Sequence, residues 1–177
     1  VASYPIRVFG DPVLRQRARE VEEIDGALAR LAQDMIETMY AAPGVGLAAP
    51  QVGVERRLFV YDVGEGPGVV VNPRIVESDG EWTYEEGCLS VPGLHWPIVR
   101  PKRVHLVGYG IDGEEVSIEA DELLARAFQH EVDHLDGVLV IDRLGKAERR
   151  EALRVLRERA LGVAAPSDEP AARTTTG

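Results

Sequence analysis

The sequence predicts an α+β fold in which short antiparallel strands pack around a central helix, with a further helix at the C-terminal end. Three observations predict it. Strand-like runs follow one another between residues 57 and 118, separated by Gly, Pro and Asn, as antiparallel strands and their turns would be. Apolar residues recur at helical spacing in three stretches outside the strand block or at its end. The middle stretch carries the pentapeptide His130-Glu131-Val132-Asp133-His134, which reads HExxH.

At 177 residues with one cysteine, the chain is long enough to bury a core and has no second thiol for an intramolecular disulfide. A single domain over residues 1–162 is expected. With 45% hydrophobic and 28% charged residues, the composition is that of an ordinary globular protein. No apolar run reaches the length of a membrane span, and Val1 to Gly10 lacks the pattern of a secretory signal. A cytoplasmic enzyme is the expectation. A net charge of -10 argues against a general or sequence-specific nucleic-acid binder, which would present a net basic surface to phosphates.

Along the chain, Tyr4 to Pro12 reads as an extended arm closed by a turn, followed by a short helical stretch near Val13 to Ala18. Asp25 is placed to cap a helix whose apolar stripe includes Leu28, Leu31, Met35 and Met39 and which ends near Pro43-Gly44. A glycine-rich segment follows, from Gly44 to Gly53, with Gln51 as its one polar side chain. It lacks the spacing and the Lys-Ser/Thr ending of a phosphate-binding loop. Strands are expected at Arg57–Asp62, Val69–Asn72, Arg74–Ser78, Trp82–Glu85, Arg103–Tyr109 and Val116–Ile118. Within this block Glu86-Gly87-Cys88-Leu89-Ser90-Val91-Pro92-Gly93 brackets the cysteine on a strand edge or loop, where its thiol would be reachable.

Asp121 opens the central helix and Gly137 stops it. At the α-helical angle, His130 and His134 point about 40° apart. The imidazoles fall at the border of the buried face, with Leu123 between them and Ala127 and Glu131 on the same arc. Asp133 and Arg126 point elsewhere, Arg126 toward solvent or a bound peptide. Val138–Ile141 reads as a last strand and Lys146–Leu161 as a C-terminal helix, on which six cations face three carboxylates. That helix is either a solvated face laced by ion pairs or a docking surface for an anionic partner such as RNA. Residues 163–177, rich in Ala, Pro, Ser and Thr, have little to bury and read as a disordered tail.

Two imidazoles four residues apart on a helix can reach one metal ion, and Cys88 supplies a third ligand. Three protein ligands leave a fourth position for water, the arrangement of a catalytic site; a closed site of several thiolates is unavailable to a chain with one cysteine. Such a metal lowers the pKa of its water toward neutrality, and Glu131 can carry the proton to a leaving amine. Attack on a carbonyl needs donors aimed at the developing oxyanion; the side-chain amide of Gln51 and the backbone N–H of Leu89 are the candidates. Gly46 and Gly87 would let an extended peptide lie close to both loops. Thiolate plus imidazole at four-coordination suits zinc.

The three segments together, Gly44 to Gln51, Glu86 to Ser90 and His130 to His134, resemble those of peptide deformylase in the same order along the chain. The resemblance extends over roughly residues 4 to 160 and includes a C-terminal helix like that of the bacterial type I members. It implies Cys88, His130 and His134 as metal ligands, Glu131 as the catalytic acid/base, and Gln51 and Leu89 as oxyanion stabilisers. The implied reaction is hydrolysis of the N-formyl group from the initiator methionine of newly synthesised proteins, releasing formate. The implied metal is Fe(II), with Ni, Co or Zn as alternatives. Val45, matched to the family's glycine-rich loop, joins Leu123 and Ala127 as candidate lining of an apolar substrate slot. The competing reading is a zinc metallopeptidase of the HExxH kind, but such enzymes usually take their third ligand downstream, whereas Cys88 lies 42 positions before His130. A non-enzymatic metal-binding or ribosome-associated domain would leave Glu131 without a task.

Overall fold

Residues 3–162 are described by the structure, a computed structural model; the expected tail from 163 to 177 lies outside the described residues. In chain order the elements are α1 (Gly26–Ala41), β1 (Gly46–Ala48), β2 (Leu58–Tyr61), β3 (Gly68–Asp79), β4 (Trp82–Cys88), β5 (Val91–Arg100), β6 (Arg103–Tyr109), β7 (Glu115–Asp121), α2 (Glu122–Leu135) and α3 (Lys146–Ala160). Five strands form one antiparallel sheet in the order β1-β2-β3-β6-β7, and β4 and β5 form a separate hairpin. The α+β class holds.

Side-chain alternation along the first strands explains why the sheet is covered on both faces at one end. Leu47, Leu58 and Val60 pack with Leu28, Met35 and Met39 of α1, while Ala48 and Phe59 pack with Ala125, Phe128 and Leu135 of α2. A strand buried on both faces reads as a continuous apolar run, as Leu58-Phe59-Val60 does. Toward β6 and β7 the inward residues, among them Val104, Leu106 and Ala120, still face α2, whereas Arg103, Glu119 and Asp121 face water. β7 runs into α2 without a loop: Asp121 caps the helix, accepting from Glu122 N, and Glu122 turns the chain in the left-handed region (φ 49°). A third apolar cluster joins the hairpin to Leu14, Leu139, Ile141 and the Ala152–Leu156 face of α3.

The structure corrects several expected elements. Val69–Asn72 and Arg74–Ser78 are one strand, β3, because Asn72 takes a positive φ of 50° and its amide anchors on both backbone groups of Val21, so the strand bends at a register shift instead of ending. β5 was not expected at all: Pro92, Gly93 and Pro97 mask it, and prolines are tolerated there because the hairpin's strands are edges. Val138–Ile141 is not a strand. Leu139, Val140 and Ile141 are buried, and Asp142 folds back to accept from Leu139 N (2.9 Å), setting a 3₁₀ turn over Val140–Arg143. Near the N-terminus the helical stretch shrinks to a 3₁₀ turn, Pro12–Arg15, and Arg19 instead bridges Arg56.

Candidate metal and active site

Three segments converge on the inner face of α2. Cys88 ends β4, and the turn after it holds the sulfur in place, Ser90 N donating to Cys88 Sγ at 3.4 Å. The N-terminal arm ties this turn to the glycine-rich loop: Phe9 N donates to Ser90 O and Arg7 N to Gln51 O. Gln51 lies in a 3₁₀ turn, Ala49–Val52. Its Oε1 accepts from Ala48 N (2.9 Å), which turns Nε2 toward Ser90 Oγ (3.1 Å) and Cys88 Sγ (3.9 Å). The amide is thus oriented with its donor side toward the cysteine.

Cys88 Sγ lies 3.3 Å from His134 Nε2, which lies 3.1 Å from His130 Nε2. Among the described residues these three form the one group of His, Cys, Asp or Glu that could hold a metal ion, with ligand atoms all within 4.8 Å of one another. Tetrahedral thiolate and imidazole bonds to zinc imply ligand–ligand edges of roughly 3.3–3.6 Å, close to the Cys88–His134 and His134–His130 separations. Contrary to the border position expected for the imidazoles and the reachable thiol, all three are buried, at 2%, 1% and 0% exposure for His130, His134 and Cys88. Strand β5, which the periodicity does not show, packs Val91 and Ile98 against Cys88.

Glu131 is fully buried, and neither of its carboxylate oxygens has a hydrogen-bond partner. Burial pushes its pKa well above the ordinary carboxylate value; the charge of His130 opposes the shift and those of Cys88 and Glu86 reinforce it. A buried, unpartnered carboxyl beside a ligand set that fits a metal has the environment of an acid/base tuned toward neutral pH. His134 is pulled below its usual range by burial and by His130, and its Nδ1 has no partner. In His130 burial is outweighed by Cys88 and Glu86, which raise it.

Glu86 is the residue whose role the sequence reading missed. Its Oε2 accepts from His130 Nδ1 at 2.9 Å, leaving Nε2 for a metal. Although burial opposes it, bonding to His130 and Arg100 holds the Glu86 carboxyl far below its usual range, so the acceptor is a carboxylate and the Nδ1 tautomer follows. The signal was present: residues 86 and 88 of one strand share a face. Asp133 and Arg126, expected to point away, are also buried. Asp133 bonds Arg100 and Arg143, and Arg126 bonds Glu86; charges are buried here because each is paired.

Of the expected substrate contacts, Val45 and Leu123 are half-buried and Ala127 is fully buried. The Cβ side of each glycine is occupied by the chain itself. A Cβ on Gly46 would meet Glu131 Oε1 at 2.6 Å, and one on Gly87 would meet His95 Nδ1 at 2.5 Å.

A buried Cys–His–His set with an unpartnered glutamate between the two histidines of one helix defines a class, the single-site metallohydrolases. Comparison with known proteins narrows it. The model of the polypeptide deformylase family matches residues 3–150. A peptide deformylase of Clostridium botulinum is 57% identical over 141 residues, covering 80% of this chain and 96% of that protein. One from Acidothermus cellulolyticus is 53% identical over 158 residues, covering 89% and 88%. Among solved structures, a peptide deformylase from Legionella pneumophila superposes with a TM-score of 0.85 at 42% identity, covering 93% of this chain and all of that one. That of Thermotoga maritima gives 0.80 at 52% identity, covering 82% and 99%. The chain belongs to the polypeptide deformylase family. Its activity is that of the family, metal-dependent hydrolytic removal of the N-formyl group from newly made polypeptides.

Proposed function

We propose that Cys88, His130 and His134 hold one divalent metal ion, Fe(II) in the cell, and that Glu131 is the general acid/base for deformylation of the initiator methionine. The supporting observation is the pairing of a ligand set within 4.8 Å with a buried carboxylate that has no hydrogen-bond partner. When bound, the ion supplies a Lewis acid that brings a water toward ionisation at neutral pH. Glu131 accepts the proton from the attacking water and returns it to the methionine nitrogen as the C–N bond breaks. Gln51 Nε2, whose orientation Ala48 N secures, and the backbone N–H of Leu89 donate to the formyl oxygen as it gains charge. Formate and the free amine leave.

Val45, Leu123 and Ala127 supply the apolar lining for the methionine side chain, and the backbones at Gly46 and Gly87 border the peptide. The proposed setting is cytoplasmic, in keeping with a substrate made on ribosomes; no helix among the described residues is long and apolar enough to cross a membrane. The basic α3 is the proposed ribosome contact. Arg154 is neutralised by Glu151 and Glu158, while Lys146, Arg150 and Arg157 are exposed.

The decisive test is turnover by anaerobically prepared protein with its metal measured. Formate should appear from a formyl-Met peptide, and Glu131→Ala should keep the metal and lose the activity. Internal cleavage of unformylated peptides without formate release would favour the metallopeptidase reading. For α3, loss of ribosome cosedimentation on deleting residues 146–177 is expected, and unchanged cosedimentation would reject the contact.

A further inference from the structure

Arg126 lies one helical turn before His130 on α2 and is 1% exposed. Its Nη1 donates to Glu86 Oε1 (2.7 Å), and its Nη2 donates to the carbonyls of Trp82 (2.5 Å) and Ile98 (2.9 Å). The guanidinium lies 5.3 Å from the Trp82 ring centroid and 5.8 Å from that of Tyr84. The side chain therefore ties α2 to both strands of the hairpin.

Glu86 carries four donors. Oε1 takes Arg126 Nη1 and Arg100 Nε, and Oε2 takes Arg100 Nη2 and His130 Nδ1. A carboxylate has about four lone-pair sites, so this one is saturated. Arg100 also reaches Asp133 on α2 (2.9 Å), three residues after His130, while Arg126 stands four before it. The two arginines grip Glu86 from opposite sides of the histidine. Rotation of the carboxylate away from His130 would break the contacts on both. Because Cys88 is two residues from Glu86 on the same strand, the spacing between β4 and α2 is also the spacing between the sulfur and the two imidazoles.

We infer that Arg126 is a positioning residue for the metal site. By clamping Glu86 Oε1 from the ligand-bearing helix, it fixes the His130 imidazole and sets the distance at which Cys88 meets His130 and His134. The inference rests on the ligand set proposed above. It goes further in assigning the geometry of that set to a cation that touches no ligand, where the bland alternative is a tie holding the hairpin to the helix.

Cobalt(II) titration of the metal-stripped chain separates the two. Absorption would be followed through the visible and the thiolate charge-transfer bands, below the unfolding temperature of each variant. Failure of the native chain to show a thiolate band would remove the ligand set itself. Given that band, Arg126→Met should weaken Co(II) affinity by about 10- to 100-fold and reduce the band, the usual loss when an outer-shell partner of a ligand is removed. Arg126→Lys, which keeps a cation on Glu86 but cannot reach both carbonyls, should recover most of that loss while lowering Tm. Native affinity and spectrum in Arg126→Met, or a Lys variant no better than Met, would overturn the inference. Should Arg126→Met fail to fold, Arg126→Gln keeps amide donors near the carbonyls without the charge; native affinity there would overturn it equally.

Discussion

A methyl group on Gly46 would stand 2.6 Å from Glu131 Oε1, closer than any real contact to that carbon. The glycine is required by what faces it and not by its torsion, since Gly46 is absent from the positive-φ glycines. The loop and the HExxH helix are packed to the limit at the carboxylate proposed as the acid/base. Gly46→Ala must move Glu131, and a shift of about 1 Å at a reacting group can cost about 100-fold in rate. Formate release should fall by about that factor with metal content unchanged. Near-native turnover would show that Glu131 is not held where the reaction needs it.

Glu131 should also cost stability. With its pKa raised, the folded chain holds a proton there that the unfolded chain has released, so stability falls as pH rises from the ordinary glutamate range through the raised folded value. Glu131→Gln removes this dependence. In metal-free protein it should stabilise near pH 7, where keeping the native carboxyl protonated or burying its charge costs the folded chain, and the gain should shrink as pH falls into the ordinary glutamate range. Urea unfolding of both proteins across this range measures it. A destabilised Gln variant at pH 7 would contradict the burial argument.

Gln51→Leu tests the proposed oxyanion donor. Removing one such donor typically costs about 100- to 1,000-fold in kcat. Because the amide also bonds Ala48 N and Ser90 Oγ, thermal unfolding should be recorded alongside, and KM should change far less than kcat. Equal losses in kcat and in substrate binding would argue for a positioning role only.

Cys88→Ala, His130→Ala and His134→Ala should each impair metal retention after dialysis, because each removes one corner of a three-residue set whose ligand atoms lie within 4.8 Å of one another. Elemental analysis decides. Full occupancy in all three variants would require another site. Chelation of the native protein should abolish formate release, and Fe(II), Ni(II) or Co(II) should restore more of it than Zn(II).

The sequence by itself determined the helices and most of the large sheet, because their signals are local. Asp25 and Asp121 cap where they were expected to, and Leu58-Phe59-Val60 reads as a strand covered on both faces. It also carried the residues that meet at the site, since i,i+4 spacing brings His130 and His134 together without reference to the rest of the fold. What it could not specify was everything that depends on β5. A strand rich in Pro and Gly has no periodicity to read, yet it covers the thiol and brings Arg100 to Glu86. The burial of Arg126, likewise, was decided by a carboxylate 40 positions earlier in the chain. A charge on a helix points to water unless a partner from elsewhere compensates its desolvation, and only the tertiary structure brings that partner there.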